Sequence, residues 1–250
     1  MATPPGIRHS RLGALSLAQP VQGYRFSMDS VLLAAFASPA RGPVADLGAG
    51  CGVISALLAR RGLKGPFLAV EIDPLAGECC RLNFAAAEIA GEVLVHDLRQ
   101  THPLLAAGGH ALVVSNPPFG RPGAGRIPPD PARARARHEL ELSAPELLAV
   151  AARLLKSHGR MALCVPPRRL AGITCDLLAA RLSPQRLRLV HGRPGLPAKL
   201  ALIEAVKGGG EELRVEPPLV VYAQGQAYGD EVAGIYRELT GASRPASGPA

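Results

Sequence analysis

The chain predicts an α/β fold, with a mostly parallel sheet covered by helices on both faces. Three observations carry that expectation. Strand-like and helix-like segments alternate from Pro43 to about Gly208, the pattern of parallel crossover units. The first strand runs straight into a glycine-rich turn and a helix, "ADLGAGCGVIS". The 250 residues, 48% of them hydrophobic, suffice to bury one substantial core.

Taken in order, "PVADLG" (Pro43 to Gly48) reads as a strand, "GVISALLARR" (Gly52 to Arg61) as a helix and "PFLAVEID" (Pro66 to Asp73) as a second strand. Asp73 then caps a helix with Pro74 at its first position, running to about Ala90. "EVLVHD" and "HALVVSN" are the third and fourth strands, and a loop rich in Gly, Pro and Arg spans Gly120 to Arg137. "SAPELLAVAARLL" follows as a helix capped by Ser143, then "GRMALCV" as a strand, "RRLAGITCDLLAAR" as a helix, and "QRLRLVHG" and "LALIEAVKG" as two last strands. Ahead of the first strand, "YRFSMDSVLLAAFASPA" reads as an amphipathic helix begun near Ser27 or Asp29 and folded over the top of the sheet.

The expected organisation is an arm over residues 1–19, a main domain over 20–210 and an extension over 211–250. In the extension "PPLVVY" and "DEVAGIYREL" pack back and "SRPASGPA" is disordered. The arm's "RHSRLGALSLAQP" faintly imitates a signal peptide, but its apolar part is too short. No apolar run approaches the ~18 residues of a membrane helix. Five cysteines, Cys51, Cys79, Cys80, Cys164 and Cys175, form no CxxC pair. Neither a disulfide framework nor a metal site is therefore expected, and a reducing cytoplasm is. Lys and Arg number 28 against 20 Asp and Glu, a net charge of +8, which favours a polyanionic partner.

The glycines Gly48, Gly50 and Gly52 let backbone approach a ligand closely. Their even spacing differs from the G-x-G-x-x-G of dinucleotide sites, and Asp46 precedes them. A carboxylate there repels a phosphate and suits a cationic sulfonium. The blander alternative is a tight turn with no ligand. Glu71, about 20 residues on, ends the second strand where a carboxylate can accept both hydroxyls of a ribose. Asp97 ends the third, placed to accept from an adenine amino group. Acids at the carboxyl ends of three consecutive strands point to a nucleoside site.

The fourth strand ends in Asn116, Pro117, Pro118 and Phe119. The prolines hold the segment extended. The Asn116 side-chain oxygen and the Pro117 carbonyl can then both accept hydrogen bonds from one planar NH2 group, leaving its lone pair aimed at an electrophilic methyl. Phe119 offers a flat surface for a base.

"DLGAGCG", "VEID", "DLR" and "NPPF" in this order resemble a Rossmann-like class I S-adenosylmethionine-dependent methyltransferase that methylates planar amino nitrogens. More closely, the chain resembles the tRNA1(Val) (adenine(37)-N6)-methyltransferase family, on "YRFSMDSVLLAAF", "ARHE", "LLKSHGRMALCVPPRRL" and "LALIEAVKGG", over about Pro20 to Gly210. The resemblance implies a seven-stranded sheet with an antiparallel last strand. It also implies S-adenosylmethionine bound by Gly48, Gly50, Glu71 and Asp97 beside Asp46 and Asn116, with Arg25 and Asp29 near the pocket and the target adenine held by Asn116 to Phe119. The family often has tyrosine where this chain has Phe119. Phenylalanine also occurs in guanine N2-methyltransferases of ribosomal RNA, which leaves the base open.

Arg121, Arg126, Arg133, Arg135 and Arg137 crowd the loop after this motif and suit RNA phosphates. Arg168, Arg181, Arg186 and Arg188 are candidates to extend that basic face. Transfer RNA is the expected partner. A release-factor glutamine N5-methyltransferase, a ribosomal guanine N2-methyltransferase, an NAD-dependent oxidoreductase and a non-catalytic RNA-binding protein on a decayed methyltransferase fold remain as alternatives. Oligomeric state is not legible.

Overall fold

The computed structural model describes residues 4–22, 26–106, 108–117 and 142–241. Arg25, Pro118, Phe119, the arginine loop with Arg121, Arg126, Arg133, Arg135 and Arg137, and the tail after Gly241 lie outside them.

The chain opens with an antiparallel hairpin, β1 (Ile7–Leu12) and β2 (Leu15–Pro20). Leu17 and Ala18 of β2 are buried against the main body. The helix α1 (Met28–Phe36) starts from Ser27, as its sequence implies, and buries Val31, Leu32 and Leu33. Then come β3 (Val44–Leu47), α2 (Val53–Arg60), β4 (Phe67–Glu71), α3 (Pro74–Ala86), β5 (Gly91–Val95) and β6 (His110–Ser115). The second half holds α4 (Ala144–Leu154), β7 (Leu155–Val165), α5 (Leu170–Ala179), β8 (Leu182–His191) and β9 (Ala198–Lys207). Two-residue strands β10 (Arg214–Val215) and β11 (Leu219–Val220), a small hairpin of β12 (Tyr222–Gln224) and β13 (Ala227–Tyr228), and α6 (Asp230–Thr240) complete it.

The long strands stand in the order β5-β4-β3-β6-β7-β9-β8. β3 to β7 pair in parallel, and β9 runs antiparallel to both of its neighbours. This is the Rossmann-like class I arrangement with its antiparallel last strand. β10 and β11 add to β8, so the sheet has nine strands rather than seven. The added pairings are two residues long, too short to leave a periodic signal. The strand order reverses between β3 and β6, which opens a crevice at their carboxyl ends.

Both faces are covered. Val44, Phe67 and Val114 pack with α1, α2 and α3 in one cluster; Ala45, Val70 and Val113 pack with α4 and α5 in the other. Burial on both sides explains why β3 is apolar without alternation, apart from Asp46. Helix starts follow local chemistry. Asp73 accepts from the Leu75 N–H at 2.8 Å with Pro74 at the first position, and Ser143 with Glu146 forms a reciprocal capping box. The helix end is less local. α3 stops at Ala86, short of Ala90, because Glu88 turns left-handed (φ 50) to feed β5. There Gly91 lies flat against the Phe67 backbone.

Candidate active site

Asp46, Glu71 and Asp97 stand at successive strand ends on the side of the sheet where the strand order reverses, and their partners differ. Asp46 is fully buried. Its Oδ2 accepts from the Ser55 hydroxyl at 2.8 Å and the Ser55 N–H at 3.2 Å, bracing the first turn of α2, while Oδ1 has no partner among the described residues. Burial pushes its carboxyl up to about 6; the Ser55 hydrogen bonds pull back, and the Glu71 charge adds to the rise. Glu71 spans the glycine turn: Oε2 accepts from the Gly50 N–H at 2.8 Å, and Oε1 from the N–H groups of Ile72 and Asp73 at 2.8 and 2.9 Å. Asp97 accepts from the Arg99 side chain at 2.6 to 3.1 Å and from its N–H at 2.9 Å. Those hydrogen bonds hold its carboxyl below the usual range.

The glycine turn divides by function. Gly48 and Gly50 have φ of 68° and 56°, and a Cβ on either meets nothing within 4 Å. That is an open floor of left-handed backbone where only glycine sits without strain. Gly52 (φ 77°) instead faces the protein, where a Cβ would stand 2.5 Å from the Cys80 sulfur. It is a packing glycine for the α2–α3 contact. Cys51 between them is buried, and burial pushes its thiol up to about 12, far from a reactive thiolate.

Asn116 follows β6 directly, one residue beyond Ser115, whose hydroxyl donates to the Leu47 carbonyl at 2.7 Å and ties β6 to β3. The Asn116 Nδ2 donates to the Ser30 Oγ at 3.1 Å. Ser30 is 2% exposed, on α1. Its neighbour Asp29 accepts from the Cys164 thiol through its backbone carbonyl at 3.5 Å. The nitrogen end of the Asn116 amide is thus turned to α1. Pro117 is half-buried.

Sequence reasoning missed two buried anchors. Ser30 falls inside the segment "YRFSMDS", but nothing local marks it as a partner of Asn116. Asn83 of α3 donates to the carbonyls of Ala18 (2.9 Å) and Cys51 (2.8 Å) and accepts from the Ala18 N–H (2.7 Å). One buried amide therefore stitches the N-terminal hairpin to the glycine turn. The arginine face also needs correction. Arg186 pairs with Glu204 and Glu216 and lies over the Phe36 ring, Arg188 pairs with Glu231, and Arg181 precedes β8 at the opposite edge of the sheet. Only Arg168 of that set falls on the edge near Asn116.

The residues fit a cationic, nucleoside-bearing cofactor. The glycine floor is open, a buried carboxylate oxygen is unpartnered, and a second carboxylate holds the turn in shape. No group of three or more His, Cys, Asp or Glu able to hold a metal occurs among the described residues, and no helix there is long and apolar enough to cross a membrane.

Residues 27–171 match the family model of the methyltransferase small domain. A tRNA1(Val) (adenine(37)-N6)-methyltransferase of Porphyromonas gingivalis is 34% identical over 189 residues, 72% of this chain and 73% of its own length. Another of the same name from Aeromonas salmonicida is 33% identical over 214 residues, 85% of this chain and 86% of its own. A crystal structure described as a predicted O-methyltransferase from Agrobacterium tumefaciens superposes with a TM-score of 0.68 at 25% identity, covering 84% of this chain and 96% of that one.

Proposed function

Because the chain belongs to the methyltransferase small domain family, we propose that it methylates the exocyclic N6 of an adenine in tRNA, next to the anticodon, and that Asn116 grips the reacting amino group. It is an S-adenosylmethionine-dependent methyltransferase. The narrower assignment of substrate takes support from the relatives of that name, which cover most of the chain.

The carrying observation is the Asn116 amide, held by Ser30 at the end of β6 and beside the open glycine turn. Asn116 Oδ1 and the Pro117 carbonyl accept the two N–H bonds of the adenine amino group, while Phe119 stacks on the ring. Acceptance by two oxygens strengthens as the nitrogen gains positive charge, which lowers the barrier electrostatically. Orientation supplies most of the rest, because the displacement is in line and needs the lone pair aimed at carbon. S-adenosylmethionine, when bound, supplies the electrophilic methyl group. Gly48 and Gly50 would hold it against backbone, Asp46 would face its positive charge, and Glu71 and Asp97 would hold the nucleoside, Asp97 by exchanging contacts with Arg99. The family resemblance also implies a part in the pocket for Arg25 and Asp29. The target base must leave its stack to reach this edge, a cost that is small in an anticodon loop.

Incubation with deuterated-methyl S-adenosylmethionine and unmodified bulk tRNA, followed by nucleoside mass spectrometry, tests this. Labelled N6-methyladenosine that disappears in Asn116→Ala is the expected result. Label in N2-methylguanosine, or label only once ribosomal RNA or a release factor is added, overturns the substrate while keeping the chemistry.

A further inference from the structure

We propose that the β7–β9–β8 half of the sheet's carboxyl edge is a phosphate track for the RNA strand flanking the target base, formed by Arg168, Arg169, Arg193 and Lys199. This rests on the RNA reading above and adds where the backbone lies.

Strand direction brings these residues together. β7 and β8 run parallel to β6, so the segments that leave them, 166–169 and 192–197, emerge on the edge that carries Asn116. β9 runs the other way, so its start, Ala198 and Lys199, lies on that same edge. Arg168, Arg169, Arg193 and Lys199 are all exposed. Segments 166–169 and 191–199 together carry four cationic side chains and no carboxylate. The strands on the other side of the crevice carry Asp46, Glu71 and Asp97 at or just beyond their carboxyl ends. The edge is therefore split at the β3–β6 boundary, acids toward the cofactor and cations away from it.

Of the two exposed acids that open α6, Asp230 and Glu231, Glu231 is paired with Arg188 at 2.7 Å. The loop is also held in shape. The His191 Nδ1 lies 2.6 Å from the Leu196 carbonyl, and the Tyr222 N–H donates to the Gly192 carbonyl at 3.0 Å. Arg193 donates through one nitrogen to the Gly225 carbonyl at 2.7 Å, which directs a guanidinium that carries further N–H donors. From β6 to β8 the edge spans three strand spacings, roughly 14 Å. That length accommodates more than one phosphate of a strand whose base is seated at Asn116.

The test is binding of an unmodified tRNA anticodon stem-loop over a salt series, comparing the wild type with the variant R168Q/R169Q/R193Q/K199Q. Each lost phosphate contact on a single strand removes about 0.7 from the slope of log affinity against log salt, so the slope falls by about 3. In the milder R193Q/K199Q it falls by about 1.4. Calorimetric affinity for S-adenosylmethionine stays unchanged in both variants and serves as the control for folding. An unchanged slope in the variants, or no binding of the stem-loop by the wild type, overturns the track. If the slope falls but the wild type transfers no label to tRNA, the track stands and the methylation reading fails.

Discussion

Among the described residues two carboxylates are buried to the last square ångström, Asp46 on β3 and Glu204 on β9, and they are compensated in opposite ways. Glu204 accepts from the Ser38 N–H (2.8 Å) and hydroxyl (2.7 Å) and pairs with Arg160 and Arg186 at 3.0 and 3.3 Å. Among the described residues Asp46 receives only Ser55, has no cation and keeps one oxygen unpartnered. Burying an unpaired charge is costly. In the function proposed above the missing cation arrives with the ligand, whereas a saturated carboxylate is a strut. On that proposal the difference separates the half of the sheet that receives the cofactor from a half that holds itself together.

The comparison breaks first at Glu204. Glu204→Ala strips the acceptor from Ser38 and the counter-charge from two arginines, and chemical denaturation is expected to show a loss of about 3 to 5 kcal/mol, with cofactor affinity intact. An equal loss of cofactor affinity would erase the distinction.

Asp46 sharpens it through pH. Its folded-state value of about 6 lies above the ordinary 3.8. The stability it contributes is therefore present below about pH 4 and is lost as the pH rises through 6. Relative to Asp46→Asn, the wild type is expected to lose about 3 kcal/mol between pH 3.5 and 7.5. The same variant binds S-adenosylmethionine more weakly, because a cation prefers the ionised carboxylate. Parallel denaturation curves at both pH values would refute the assignment.

Two glycines repeat the contrast on a smaller scale. Gly52→Ala combines a left-handed backbone with a clash against Cys80 and is expected to cost about 3 kcal/mol of stability. Gly50→Ala carries only the backbone cost, about 1 kcal/mol, and places its methyl in the open floor, so calorimetry shows the loss in cofactor binding.

The smallest effect belongs to Ser30. Ser30→Ala removes one hydrogen bond to Asn116, worth about 1 kcal/mol. Single-turnover methylation is expected to slow about fivefold with the cofactor Kd unchanged, and Ser30→Thr to retain most of the rate. A change in Kd instead of rate would make Ser30 a packing residue.

What was legible in the sequence was what short segments encode. Alternating apolar runs announce strands and helices, Asp73 and Ser143 announce helix starts, and acids ahead of glycine turns announce strand ends. Each of these depends on neighbours within a few residues. The hairpin of residues 7–20 falls, but for Pro20, in the segment 1–19 that the sequence offers as an arm, with no strand pairing legible in it. The two-residue strands at β8 carry too few residues for any period.

By itself, then, the sequence determined the class of fold, the order of the acids and the place of Asn116 after the fourth strand. Tertiary structure alone decided which groups face one another. Ser30 meets Asn116 across 86 residues, and Asn83 meets Ala18 across 65. Arg186 is withdrawn from the surface by Glu204 and Glu216, whereas Arg193 and Lys199 stay on the edge. Pairings of this kind are set by strand order and direction, through which the register of one segment fixes the surroundings of another. No local pattern of residue types records that relation.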